Sequence, residues 1–179
     1  MLYAFGFQRI GVVVGDLYFV DPRPGPGQEG AERGVRLEVR MLETGELQGS
    51  MYSARPIEIG RPVWRADLLE AADGPPGSLN RAHHHPAFRD WEPGRRVFDE
   101  RLSADPVRWV GDQLSDLGAL LDGAGVDTDE MLAADGESLR ECVPQIMTAV
   151  EGLLGRVKAG ELAVAPAGDQ PDSARIGWL

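Results

Sequence analysis

Cysteine is nearly absent from this 179-residue chain, and so are lysine and asparagine; Cys142, Lys158 and Asn80 are the only ones. A single cysteine excludes an intrachain disulfide and any zinc site built on several thiolates. Cys142 lies in an apolar, helical-looking stretch and reads as a small buried hydrophobe. Positive charge is also scarce. Lysine and arginine number 18 against 29 acidic residues, for a formal net charge of −11. An average surface of that sign repels nucleic-acid phosphates and anionic lipid, so general binding to either is disfavoured. No apolar run approaches the ~20 residues of a membrane helix. The apolar first twenty residues lack a basic start and are interrupted by Arg9, Gly15 and Asp16, unlike a secretory signal. These absences together lead us to expect a cytoplasmic protein. Walker, Rossmann and Gly-X-Ser-X-Gly fingerprints are missing too.

What is there divides into two patterns. Residues 1–102 read mainly as strands and turns, and residues 105–160 mainly as helices. Val35, Leu37, Val39 and Met41 alternate with Arg36, Glu38 and Arg40, as in an antiparallel strand with one face in the core and one face wet. Gly15-Asp16 between two apolar runs predicts a tight hairpin turn. Gln48–Ile59 reads as a further extended run, ended by Gly60-Arg61-Pro62, and Val63–Leu69 as the strand after it. The next strand is expected from about Arg81 to Phe88.

Asp105 followed by Pro106 marks a helix start, with apolar residues at three- and four-residue steps from Val107 to Leu121. A short helix over Asp129–Ala134 and another from about Glu137 to Lys158, interrupted at Pro144, complete the pattern. Residues 161–179 lose periodicity and read as a mostly irregular tail in which Trp178 or Leu179 could dock. The expected fold is a single α+β domain over 1–160. In it an N-terminal curved antiparallel β-sheet, open or curled into a partly closed barrel, is packed by C-terminal helices.

All three histidines fall in Arg81-Ala-His-His-His-Pro-Ala-Phe88. Alternation on a strand puts Arg81, His83 and His85 on one face and sends His84, with Phe88, to the other. In Val63–Glu70, Arg65 and Asp67 share a face with Val63 and Leu69, while Trp64, Ala66 and Leu68 form the opposite, apolar one. If the two strands pair with polar faces aligned, Arg65, Asp67, Arg81, His83 and His85 converge. Three chemistries compete there. His83 and His85 could hold a divalent metal with a carboxylate such as Asp67, Asp90 or Glu92. They could serve as acid and base beside the anion-holding Arg65 and Arg81, which makes His83, His85, Arg65 and Arg81 the candidate catalytic set. They could equally be structural, hydrogen-bonded to Asp67 or to backbone.

Gly77, five residues, then His83-His84-His85 resembles the opening of the first cupin motif, in which such histidines hold a divalent metal in a β-barrel. The likeness stops at six residues before Glu92, where that motif has three or four, and no later histidine supplies its remaining ligand; it is treated as coincidental. Arg65-Ala-Asp67-Leu-Leu-Glu70, the histidine stretch to Phe88, Trp91-Glu92-Pro93 and Asp105-Pro106-X-X-Trp109 together resemble a family of uncharacterised proteins from high-GC Gram-positive bacteria. That resemblance implies continuity of fold and no mechanism. Arg-X-Asp followed by clustered histidines is also similar to some small bacterial toxin RNases. The functional expectations are therefore a His/Arg/Asp site on the sheet face, able to take a divalent metal; a non-catalytic protein-interaction module; or an RNase-like toxin. A free sheet edge or apolar helix stripe would suit a homo-oligomer or another protein partner.

Overall fold

The computed structural model describes residues 1–45, 57–166 and 175–176. Five strands form an antiparallel meander in chain order: β1 (Leu2–Gly6), β2 (Ile10–Val20), β3 (Ala31–Thr44), β4 (Ile57–Ala71) and β5 (His83–His85). A small hairpin, β6 (Phe88–Arg89) and β7 (Glu92–Pro93), follows. Four helices come next: α1 (Glu100–Ala104), α2 (Pro106–Leu114), α3 (Leu117–Gly123) and α4 (Glu130–Lys158). A last short strand, β8 (Arg175–Ile176), pairs with Tyr18 and Phe19 of β2, so this part of the expected irregular tail joins the sheet. The fold is α+β, as the segregation of strands and helices predicts, and the sheet is not closed. No helix among the described residues is long and apolar enough to cross a membrane.

One sheet face is apolar and packs against the helices. Val12 and Val14 of β2, Val35, Leu37 and Val39 of β3, and Trp64, Ala66 and Leu68 of β4 are buried there with Trp109, Leu139, Ile146 and Val150 of the helices. Each buried Val, Leu or Ile side chain among them contributes about 1.5–3 kcal/mol by leaving water. Trp64 and Trp109 stack at 6.0 Å between ring centroids, and the His84 ring sits 4.8 Å from Trp109. His84 thus faces the helices, as alternation requires.

Several local expectations fail for identifiable reasons. Gly15-Asp16 makes no turn: β2 runs straight through, with Gly15 opposite Arg36 and Asp16 opposite Val35. A long partner strand with matching alternation outweighs two turn-prone residues. The reversal lies at Phe7–Ile10 instead, where the Phe7 N–H donates to the Ile10 carbonyl at 2.9 Å. Gly60-Arg61-Pro62 does not break β4. Val39 pairs with Trp64 and Arg40 with Pro62, leaving Val63 as the extra residue of a β-bulge. The bulge accommodates a proline that has no amide to give the ladder. It also resets the alternation, so that Val63 packs into the core rather than beside Arg65.

The single helix expected from Val107 to Leu121 is two, because Asp116 caps a new start by accepting from Ala119 N. Conversely, the helices expected at 129–134 and from 137 are one. α4 starts after Asp129 and continues through Pro144 for 29 residues. The Asp135 carboxylate near its start accepts the amides of Gln8, Arg9 and Ile10, tying α4 to the β1–β2 turn. Of the Gln48–Ile59 run, residues 48–56 lie outside the described residues, as do Trp178 and Leu179.

Candidate metal centre and its cavity

The second sheet face carries the polar residues. It is not wet as the alternation suggests: Glu38, Arg40, Asp67, His83 and His85 are buried. Two segments cover it, the loop after β2 and the residues from β6 to Arg96. Under them lies a cavity of about 330 Å³ lined by, among others, Leu17, Phe19, Trp91 and Pro93.

The register sets the site in rows. Asp67 of β4 lies between Arg36 of β3 and His83 of β5; one row on, Arg65 lies between Glu38 and His85. Opposite charges face each other across β3 and β4, Arg36 against Asp67 and Glu38 against Arg65. Arg36 grips Asp67 with both ends of its fork, Nε to Oδ1 at 2.7 Å and Nη2 to Oδ2 at 3.2 Å. Arg65 donates from Nε to Glu38 Oε1 at 2.7 Å. Arg40 Nε lies 2.9 Å from Glu38 Oε2, close enough for ionic attraction but outside hydrogen-bond geometry. Above them the Arg40 guanidinium lies 5.3 Å from the Trp91 ring centre, and Arg65 lies 5.0 Å from that of Phe88.

The histidines are oriented by the backbone. His83 Nδ1 is 2.8 Å from the Arg81 carbonyl, and His85 Nδ1 is 2.7 Å from the Gly94 carbonyl. A carbonyl oxygen only accepts, so Nδ1 carries the proton in both rings. A neutral imidazole then presents a bare lone pair at Nε2. Both Nε2 atoms point at the same carboxylate oxygen: Asp67 Oδ2 is 3.3 Å from that of His83 and 3.6 Å from that of His85. His83 Nε2 is buried and has no hydrogen-bond partner. The three ligand atoms all lie within 4.8 Å of one another.

Asp67 is 1% exposed, His83 1% and His85 5%. Burial pushes the Asp67 carboxyl up, but the charge of Arg36 beside it leads the opposing effects, and the carboxyl is held well below the usual carboxylate range. The carboxylate is therefore charged and poised as a ligand. Burial, together with the nearby Arg36 charge, lowers the Arg65 guanidinium from its ordinary value.

Compared with known proteins, the chain matches no family model, no curated protein and no solved structure. Its chemistry has to be read from the site.

Of the residues expected at this place, the structure brings Asp67, His83, His85 and Arg65 together and leaves Arg81 out. The strand begins only at His83, and the Arg81 guanidinium turns to the Gly27 and Glu29 carbonyls of the loop after β2. Glu92 lines the cavity, whereas Asp90 sits exposed at the hairpin tip with a φ of 55°. Phe88 is on the histidine side, 6.4 Å from His85 between ring centroids, because the strand ends at His85 and alternation stops with it. Sequence reasoning missed Arg36, the direct partner of Asp67. The signal lies in the Arg36-Glu38-Arg40 alternation, which points to a solvent-facing row because nothing local shows what covers it.

Proposed function

We propose that this chain binds a divalent transition metal through Asp67 Oδ2, His83 Nε2 and His85 Nε2, and uses it on a small molecule held in the adjoining cavity. The observation that carries this is the pair of imidazole lone pairs turned on one buried carboxylate oxygen. Without a cation between them, three electron-rich atoms would repel. A metal resolves the conflict. Two ligands of a tetrahedral zinc lie about 3.3 Å apart when each bond is about 2.05 Å. The two separations from Asp67 Oδ2, 3.3 and 3.6 Å, are close to that edge, and the two imidazole nitrogens lie within 4.8 Å of each other.

The Nδ1–H bonds to carbonyls and the Arg36 fork on Asp67 are the outer contacts that orient metal ligands. Three protein ligands leave a coordination position free, as in catalytic rather than structural centres. A cavity of this size beside them suits a small substrate better than a polymer. That size and the burial of both histidines weigh against the RNase-like reading. The interaction-module reading draws its support from Trp91, 59% exposed at the cavity rim.

The test is metal uptake by protein purified without a metal column and stripped with chelator. About one equivalent of Zn²⁺ or Co²⁺ should bind, and His83→Ala or His85→Ala should abolish it while far-UV circular dichroism stays unchanged. Wild-type protein that takes up neither ion would sink the proposal.

A further inference from the structure

The cavity lining holds five arginines against four carboxylates. Buried Glu32, whose Oε1 lies 3.3 Å from Arg96 Nη1, evens the count. In a chain of net charge −11, an evenly balanced pocket is already a local concentration of positive charge. A divalent ion on neutral histidines would give it two positive charges in excess, in a site sheltered from water where charge acts strongly.

Two guanidinium groups have capacity to spare. Arg65 places both Nε and Nη2 on the same Glu38 oxygen, and Arg36 places Nε and Nη2 on Asp67. Neither Nη1 has a protein acceptor among the described residues, and each carries two N–H donors. Arg36 and Arg65 are diagonal neighbours on one sheet face, in the two rows that hold the histidines. The rest of the lining includes Leu17, Phe19, Leu69 and Trp91, an apolar wall. At about 330 Å³ the cavity is at the small end of ligand pockets.

We infer that the cavity takes a small organic carboxylate. Its charged end meets Nη1 of Arg36 and Arg65 beside the ion, and its apolar body lies against Phe19, Leu17 and Trp91. The inference rests on the metal reading, since the ion supplies the excess charge; metal therefore binds first and the acid second. Planar guanidinium donors match a planar carboxylate, and the apolar wall gives a bare inorganic oxyanion nothing to bury.

The experiment loads the protein with Co²⁺ and follows its visible absorption bands and the tryptophan fluorescence during titration with benzoate, neutral benzamide or inorganic phosphate. Benzoate should shift the bands or quench the fluorescence saturably, benzamide should not, and phosphate should bind more weakly. Arg65→Met should weaken benzoate at least about tenfold, the loss of one charged hydrogen-bonding partner, with Co²⁺ uptake unchanged. Arg65→Lys, which keeps a charge opposite Glu38, should fall between the two and carries the comparison if Arg65→Met does not fold. Normal Co²⁺ uptake with benzoate no better than benzamide, with phosphate the tighter ligand, or with benzoate unaffected by either substitution would overturn the inference and leave the metal centre standing. Failure to take up Co²⁺ would remove both.

Discussion

Two backbone carbonyls do much to decide what His83 and His85 can be. By accepting from Nδ1 they leave Nε2 as the only free nitrogen and aim it at Asp67. This much was legible in the sequence, because period-two alternation assigns His83 and His85 to one face and Asp67 to the matching face of its neighbour. Which carbonyls hold the rings was not legible, since the Gly94 carbonyl arrives from a hairpin that no pattern places over the sheet. Arg81 was misplaced for a related reason: alternation extends only as far as the strand, and this strand has three residues.

Away from the site, Asp129 offers a residue-scale prediction with a definite sign. Its carboxylate accepts from Leu132 N at 2.9 Å at the start of α4, and that backbone hydrogen bond holds its pKa below the ordinary carboxylate value. A carboxyl depressed in the folded state contributes stability above its unfolded pKa, about 3.9, and loses it as pH falls through the folded value. The stability gap between wild type and Asp129→Ala should therefore be constant near neutrality and close below about pH 4. Urea midpoints measured at a series of pH values check it; a gap that widens in acid would contradict the assignment.

At the scale of elements, the sheet owes its geometry to positions where an ordinary side chain would not fit. A Cβ added to Gly34 would lie 2.1 Å from the Leu68 carbonyl oxygen and 2.9 Å from Leu69 Cα, so β3 and β4 could not keep their approach. Gly34→Ala should destabilise by about 1–3 kcal/mol or more, as overpacking does. Thermal melting would read this as a lowered midpoint, and an unchanged midpoint would argue against the pairing. The Asp135 carboxylate is a second joint, since it alone receives three consecutive amides of the β1–β2 turn. Asp135→Ala would strand those donors at a cost of about 3 kcal/mol, with Asp135→Asn recovering part. Denaturant unfolding of the two variants measures the difference.

Strand alternation and the Asp105-Pro106 cap were plain in the sequence because each is a local preference that the fold reinforces. The straight run through Gly15-Asp16 and the bulge at Val63 were not, because both are set by the partner strand. The joined α4 and the divided α2–α3 turn on which aspartate finds a free helix end. Asp116 and Asp129 do so, while the residues around Pro144 continue the helix.

On the scale of the whole molecule, the sheet has a different neighbour on each side. Apolar residues meet a helical layer over a broad contact that periodicity predicts well. Arginines, carboxylates and histidines meet loops, and the sequence does not announce that those loops close over them. The result inverts the usual expectation for a one-sided sheet, whose polar residues face water: here the polar side encloses the cavity.

The edge strand β5 is held by only three residue pairs to β4, and on its other side by the single bridge between His84 and Val97. Its two ring contacts reach carbonyls at either end of the segment, Arg81 before it and Gly94 beyond the hairpin. An ion shared by Asp67, His83 and His85 would therefore act as a rivet between this segment and the rest of the sheet. Amide hydrogen exchange should register it as slower opening over residues 83–94. The protection should grow with metal concentration by about 1.4 kcal/mol per tenfold once the site is saturated, with no comparable change along α4. Equal protection everywhere would mean that metal stabilises the fold globally; slowing confined to 83–94 would mark this stretch as a latch whose opening exposes the cavity.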